Sequence, residues 1–156
     1  MKQHRWFYRR DAGEAVPLTV RDVMTPHPAT LTPVDLVLDA MRLMREKEIR
    51  HVPIVAGSPP TLAGLVTETD VLRQVLHGRA MTGEEKYHAT LDVMLPLERI
   101  MVRDVATLGP DDPVESAVRL FVERKIRCAP VVGADGAVAG IVTEADLMLL
   151  LQRMVD

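Results

Sequence analysis

Two short strings of the sequence set a hydroxyl three residues ahead of a carboxylate: Thr67-Glu68-Thr69-Asp70 and Thr143-Glu144-Ala145-Asp146. Each follows an apolar run and opens a segment with helical spacing, so each falls at a strand-to-helix junction. Hydroxyls and backbone N–H groups at a helix start suit phosphate oxygens, because the first N–H groups have no partner within the helix. The carboxylates of Asp70 and Asp146 suit the two hydroxyls of a ribose, a role that acidic residues take in other nucleotide-binding folds. Arg50, His51 and Arg127 sit beside the strands nearby and can meet phosphate charge, Arg by its fork of donors. A plainer reading stands beside this one. Thr67, Asp70, Thr143 and Asp146 occupy cap positions, and a Thr or Asp cap stabilises a helix by about 1 kcal/mol without any ligand.

Catalytic chemistry has little to build on. The sequence holds no Gly-rich phosphate loop, no nucleophile elbow and no His pair at metalloprotease spacing, so no catalytic residue is assigned and no enzyme is expected. Cys128 is the only cysteine, which excludes an intramolecular disulfide and a thiolate metal cluster and fits a reducing cytosol. It reads as a small buried apolar residue. The methionines fall at helical spacing and read as core or dimer surface, not as a metal site. A net charge of −3 argues against a surface built to neutralise a nucleic-acid backbone. Apolar residues make up 47% of the chain and aromatic ones only 3%, so the expected core is aliphatic. The first ten residues are basic, with Trp6, Phe7 and Tyr8 adjacent, but no apolar run follows; neither a signal peptide nor a membrane span is expected.

The elements that must position these residues occur twice. Thr30 superposes on Thr107 at a shift of 77 positions, which also lays Met24 on Met101, Pro33 on Pro110, Asp35 on Asp112, Ala40 on Ala117 and Pro53 on Pro130. From Gly64 and Gly140 onward the shift is 76, one residue having been lost at a turn rich in chain-reversing residues. Each copy reads as a brief extended piece, a helix opening at Thr32-Pro33 and ending near Glu48, a hairpin of short apolar strands, and a second helix from the Thr/Asp junction. The fold class is therefore α+β, two tandem β-α-β-β-α repeats, each too small to bury its own sheet, so that the copies are expected to share a core. The boundaries are an N-terminal arm over 1–17, a first repeat over 18–77, a connector over 78–96 and a second repeat over 97–156. The apolar spacing of Tyr87, Leu91 and Met94 predicts a helix in the connector, covering the core.

The ordered set of strings has a family likeness. Asp22-Val23-Met24-Thr25-Pro26, then Ile49-Arg50-His51-Val52-Pro53-Ile54-Val55, then Gly64-Leu65-Val66-Thr67-Glu68-Thr69-Asp70 resembles a CBS domain from end to end, and the second copy repeats the order. Each string alone is common; the whole series found twice is specific. The resemblance covers nearly everything from residue 20 to 151. It implies a tandem CBS pair, or Bateman module, with pseudo-twofold symmetry, its repeats packed through their sheets to leave two clefts. In that family such clefts bind AMP, ADP, ATP or S-adenosylmethionine.

Carried onto this chain, the resemblance gives the ribose to Asp70 and Asp146, and the phosphate to Thr67, Thr69 and Thr143 with Arg50, His51 and Arg127. The adenine lies between Ala29-Thr30 and the strand Ile49, Arg50, His51, Val52 in one cleft, with Ala40 leaving room. In the other it lies between Ala106-Thr107 and Ile126, Arg127, Cys128, Ala129, beside Ala117. Copy two has Ala145 where copy one has Thr69, and Cys128 where copy one has His51, so the first copy is expected to be the better phosphate binder. The implied role is a homodimeric cytoplasmic sensor acting on a separate effector protein. The alternative is a ligand-free dimerisation or interaction scaffold. For the arm, Arg5-Trp6-Phe7-Tyr8-Arg9-Arg10 can stack on a base or a partner, and a strap across a neighbouring subunit is the preferred reading.

Overall fold

The structure, a computed structural model, describes residues 7–11, 14–77 and 92–155. The elements among them are β1 (Tyr8–Asp11), β2 (Glu14–Pro17), α1 (Val20–Val23), β3 (Thr25–Pro26), α2 (Val37–Lys47), β4 (His51–Ala56), β5 (Thr61–Thr67) and α3 (Glu68–His77). A 3-10 turn (Leu97–Arg99), α4 (Val114–Arg124), β6 (Cys128–Val132), β7 (Val138–Thr143) and α5 (Glu144–Val155) follow. The repeat is plain in this order: α2-β4-β5-α3 returns as α4-β6-β7-α5. The class is α+β, as the sequence pattern implies.

The chain forms two compact units. One is Ala29–Val105; the other takes in the chain up to Pro28 and again from Ala106 onward.

In the first unit, α2 forms because Val37, Ala40 and Met44 recur on one face, and all three are buried. Its start differs from the expectation. Residues 32–35 make a separate turn in which the Asp35 carboxylate accepts the Thr32 N–H at 2.7 Å and its hydroxyl at 2.9 Å. Leu36 is then held extended by a bridge to Pro96, and the helix can begin only at Val37. Asp39 accepts the Leu36 N–H at 2.8 Å, half of a capping box. The helix ends where expected, at Glu48, which takes the left-handed conformation with φ 54°. Strands β4 and β5 pair antiparallel with His51 opposite Thr67 and Ile54 opposite Gly64. Leu31 lies alongside Ile54 in parallel, and Val102 bridges Leu65 on the far side. The buried cluster joins Val37, Ala40, Met44, Val52, Ile54, Val66 and Val71 to Leu97 and Met101.

The other unit repeats the plan. Helix α4 buries Val114, Ala117 and Phe121 and ends at Lys125, again left-handed, with φ 53°. Strands β6 and β7 pair with Cys128 opposite Thr143, and β3 adds to β7 with Thr25 opposite Ile141, giving the order β3-β7-β6. Its cluster joins Leu108, Ala117, Phe121, Ala129, Val131 and Val142 to Val20. Strands β1 and β2 form an antiparallel ribbon of their own.

The two units cut across the sequence repeats. The segment that leads into the second repeat, with Leu97 and Met101, completes the buried cluster of the first. The segment that leads into the first repeat, with Val20, completes the cluster of the second. Each unit therefore has its own buried cluster, built from residues of both copies, and what the copies exchange is a leading segment. Glycine makes the exchange possible. A Cβ on Gly64 would lie 2.8 Å from the Val102 carbonyl oxygen, and one on Gly140 would lie 2.9 Å from that of Thr25. The helix expected in the connector falls largely on residues outside those described, as do Arg5 and Trp6 of the arm.

Candidate functional site

In each unit the Thr/Asp string sits where the expected strand turns directly into the expected helix. Thr67 ends β5 and donates both its N–H, at 2.9 Å, and its hydroxyl, at 2.8 Å, to Oδ2 of Asp70. The N–H of Asp70 returns to the Thr67 hydroxyl oxygen at 3.2 Å. Thr143 and Asp146 repeat the arrangement at 2.7 and 3.1 Å. The first is a capping box with Asp as the acidic partner, and the second shows the carboxylate half of one. The next N–H groups are also engaged: Glu68 donates to the Arg50 carbonyl at 2.8 Å and Glu144 to that of Arg127 at 3.0 Å. Of the N–H groups at positions 67–70, the one on Thr69 is thus the one left for an outside acceptor.

These bonds fix the side chains at the rim. The Glu68–Arg50 backbone bond sets the two side chains next to each other, Arg50 Nε 3.5 Å from Glu68 Oε2; Arg127 Nε and Glu144 Oε2 stand 3.9 Å apart at the same place in the other unit. On the opposite edge, Leu31 accepts the Val55 N–H at 2.8 Å and donates its own to the Pro53 carbonyl at 3.2 Å. Because this pairing is parallel, Ala29 and Thr30 lead away along β4 toward His51 and Thr67. Leu108 makes the same bonds to Val132 and Pro130, at 2.8 and 3.0 Å, and brings Ala106 and Thr107 toward Cys128.

The expected residues consequently divide by depth. Thr30, Arg50, Thr69, Thr107 and Arg127 are exposed at the rim, while Ala29, Ile49, His51, Thr67 and Asp70 are half-buried, with Ala106, Ile126, Thr143 and Asp146 alike in the second copy. Val52, Cys128 and Ala129 are buried, so they can offer backbone but little side-chain surface. Ala40 and Ala117 are wholly enclosed in the middle of α2 and α4. They are not brought to the rim with the others.

Two residues at the site escaped the sequence reading. The Thr25 hydroxyl lies 3.5 Å from Oδ1 of Asp146, the oxygen that the cap does not use. Strand β3 carries it there by pairing with β7. The repeat register places Val102, which has no hydroxyl, at the matching position of the other unit. There Oδ1 of Asp70 has Arg73 Nη1 at 3.9 Å instead. The 77-residue shift aligns Thr25 with Val102 but gives no sign that each belongs beside the other copy's carboxylate.

The family model described as the CBS domain matches residues 20–77 and 97–153. The chain belongs to the CBS domain family. Both matched stretches begin at an exchanged segment, so a CBS repeat as a sequence and a compact unit as an object are offset from each other. Among solved structures, the CBS domain pair of protein MJ0100 in complex with 5′-methylthioadenosine and S-adenosyl-L-methionine is 25% identical, with a TM-score of 0.73, covering 86% of this chain and 96% of that one. CBSX2 of Arabidopsis thaliana, in complex with AMP, is 27% identical with a TM-score of 0.72, covering 88% and 98%. Homoserine O-acetyltransferase of Methanohalobium evestigatum is 33% identical over 134 residues, which are 86% of this chain but 24% of that protein. The chain thus spans about a quarter of that relative's length, and the likeness lies in a CBS portion of it.

Proposed function

We propose that this CBS pair is a regulatory module, not an enzyme, which binds an adenosyl ligand at the end of each hairpin and acts on a separate partner protein. The observation that carries the reading is the duplicated junction. In each unit the Asp uses Oδ2 for the helix cap, while among the described residues Oδ1 faces a longer contact, Arg73 at 3.9 Å for Asp70 and Thr25 at 3.5 Å for Asp146. A ribose diol is the natural partner for such an oxygen, and an Arg at the rim is placed for a phosphate. Further support comes from the bound AMP, S-adenosylmethionine and methylthioadenosine of the two similar CBS pairs. The ligand is AMP, ADP, ATP or S-adenosylmethionine, and the working form is a cytoplasmic homodimer. Regulation requires that the ligand bind one arrangement of the protein more tightly than another, since equal affinity for both shifts nothing.

A second reading, an interaction module without ligand, is favoured by α5. That helix buries no residue, and Met148, Leu149, Leu151 and Val155 are exposed on it. Calorimetry separates the two readings. AMP, ADP, ATP and S-adenosylmethionine are titrated into wild type, Asp70→Ala and Asp146→Ala, with thermal melts run in parallel because each variant also loses a cap. Saturable binding that each variant weakens supports the sensor; no binding by any of the four supports the interaction module.

A further inference from the structure

The two junctions match in backbone but not in charge. Around Asp70, the unit Ala29–Val105 places Arg50, Glu68 and Arg73. Arg50 is 3.5 Å from Glu68, and Arg73 is 3.9 Å from Asp70. Each acid has its own cation. Around Asp146 the other unit places Glu144 and Arg127, 3.9 Å apart. The position of Arg73 is filled there by Leu149, which is 52% exposed, and Thr25 is the group facing Asp146. Arg103 does not alter the first balance, being turned to the Glu98 carbonyl at 3.3 Å. Counting ion pairs among the described residues, one junction is thus balanced and the other has one carboxylate, Asp146, without a paired cation.

Backbone donors do not offset this difference. Thr67 and Thr143 donate their N–H groups to the caps and Glu68 and Glu144 theirs to the neighbouring strand, so little of either helix start is left for an anion. Side-chain charge within about 8 Å, the screening length at physiological salt, therefore decides which ligands are admitted. A phosphate monoester brings about −1.5 to −2 at neutral pH. Arg73 can turn from Asp70 to meet it. Beside Asp146 no second cation stands at ion-pair distance among the described residues, and the leftover carboxylate charge suits a ligand that is neutral or positive at its 5′ end.

We infer that the two clefts differ in the adenosyl ligands they admit. The Asp70 cleft also admits a 5′-phosphorylated one, with Arg73 as the residue that admits it; the Asp146 cleft takes only one with no phosphate, because Leu149 stands in place of that cation and the Asp146 charge excludes the anion. This rests on the adenosyl reading above and adds a division of ligands between the clefts.

The test uses the whole chain and two probes, AMP and the uncharged 5′-methylthioadenosine, titrated by calorimetry at low salt and again at 0.5 M salt. Wild type is expected to bind AMP at one site per chain and methylthioadenosine at two. Arg73→Leu weakens AMP by roughly five- to tenfold and leaves methylthioadenosine unchanged. Leu149→Arg adds a second AMP site. Each variant installs the residue that the other unit already carries at the same position, and both positions are exposed, so folding is preserved. The inference is overturned if wild type binds AMP at two equal sites, or if Arg73→Leu weakens both probes alike. Binding of neither probe to wild type overturns the adenosyl reading itself, and this inference with it.

Discussion

Replacing Gly64 by Ala tests the exchanged segment directly. The new Cβ would stand 2.8 Å from the Val102 carbonyl oxygen and 2.9 and 3.1 Å from Sδ and Cγ of Met101. The methionine side chain can swing aside, but the carbonyl is backbone. It is tied to Leu65 by two hydrogen bonds, Leu65 N–H to Val102 O and Val102 N–H to Leu65 O, both 2.9 Å. Relief needs a shift of several tenths of an ångström in that bridge. Overpacking of this kind costs about 1–3 kcal/mol, and weakening the two bonds adds up to about 1 kcal/mol each. Against this, Ala restricts the unfolded chain more than Gly, which returns about 0.4–1 kcal/mol. The expected net loss is about 2 kcal/mol, read as a fall of about 1 M in the urea midpoint with an m-value of about 2 kcal/mol/M. Gly133→Ala is the control: its new Cβ would meet the end of the Asp135 side chain at 2.9 Å and nothing else within 3.9 Å, so the change stays within about 0.5 kcal/mol. Equal midpoints for Gly64→Ala and wild type would refute the close approach of residue 102 to β5.

Two further substitutions probe the same architecture. Leu97→Ala empties a fully buried position in the first repeat's cluster and should cost about 3 kcal/mol in urea unfolding; a loss below about 1 kcal/mol means that Leu97 does not belong there. Lys125→Gly removes the side chain from a left-handed residue at the end of α4, and a gain of about 0.5–1 kcal/mol in the same assay is expected, with a loss speaking against the assigned conformation.

Much of this fold is legible in the sequence, because its signals are local. Apolar runs around a Gly- or Pro-rich turn gave the hairpins, and Glu48 and Lys125 end their helices at matching places. The start of α2 was misread because Pro33 looks like a first helical residue, whereas Asp35 closes its own turn and the Leu36–Pro96 bridge holds the chain extended. The exchange of leading segments was invisible for a different reason. Internal similarity says that residues 24 and 101 are equivalent; it does not say which copy each one joins. Thr25 was missed as a consequence, its partner Asp146 lying 121 positions away. Arg73 was missed because it sits a turn beyond the motif, where a cation on a helix ordinarily signifies only a solvated face.

The path of the chain through its two units has a bearing on how it comes to be made. The unit Ala29–Val105 is one unbroken stretch, whereas its companion consists of the chain up to Pro28 and the part from Ala106 onward. On a ribosome adding about 5–20 residues per second, the continuous unit is complete while its companion still lacks its hairpin. Val20 and Thr25 emerge early; Thr25 waits roughly 6–23 s for β7 to arrive, and the Val20 side chain stays uncovered until its cluster partners beyond Ala106 follow. Synthesis therefore imposes an order, the continuous unit first and the two-part unit last, and a pause in translation beyond Val105 prolongs the stage at which the nascent chain is most exposed to a chaperone or a protease.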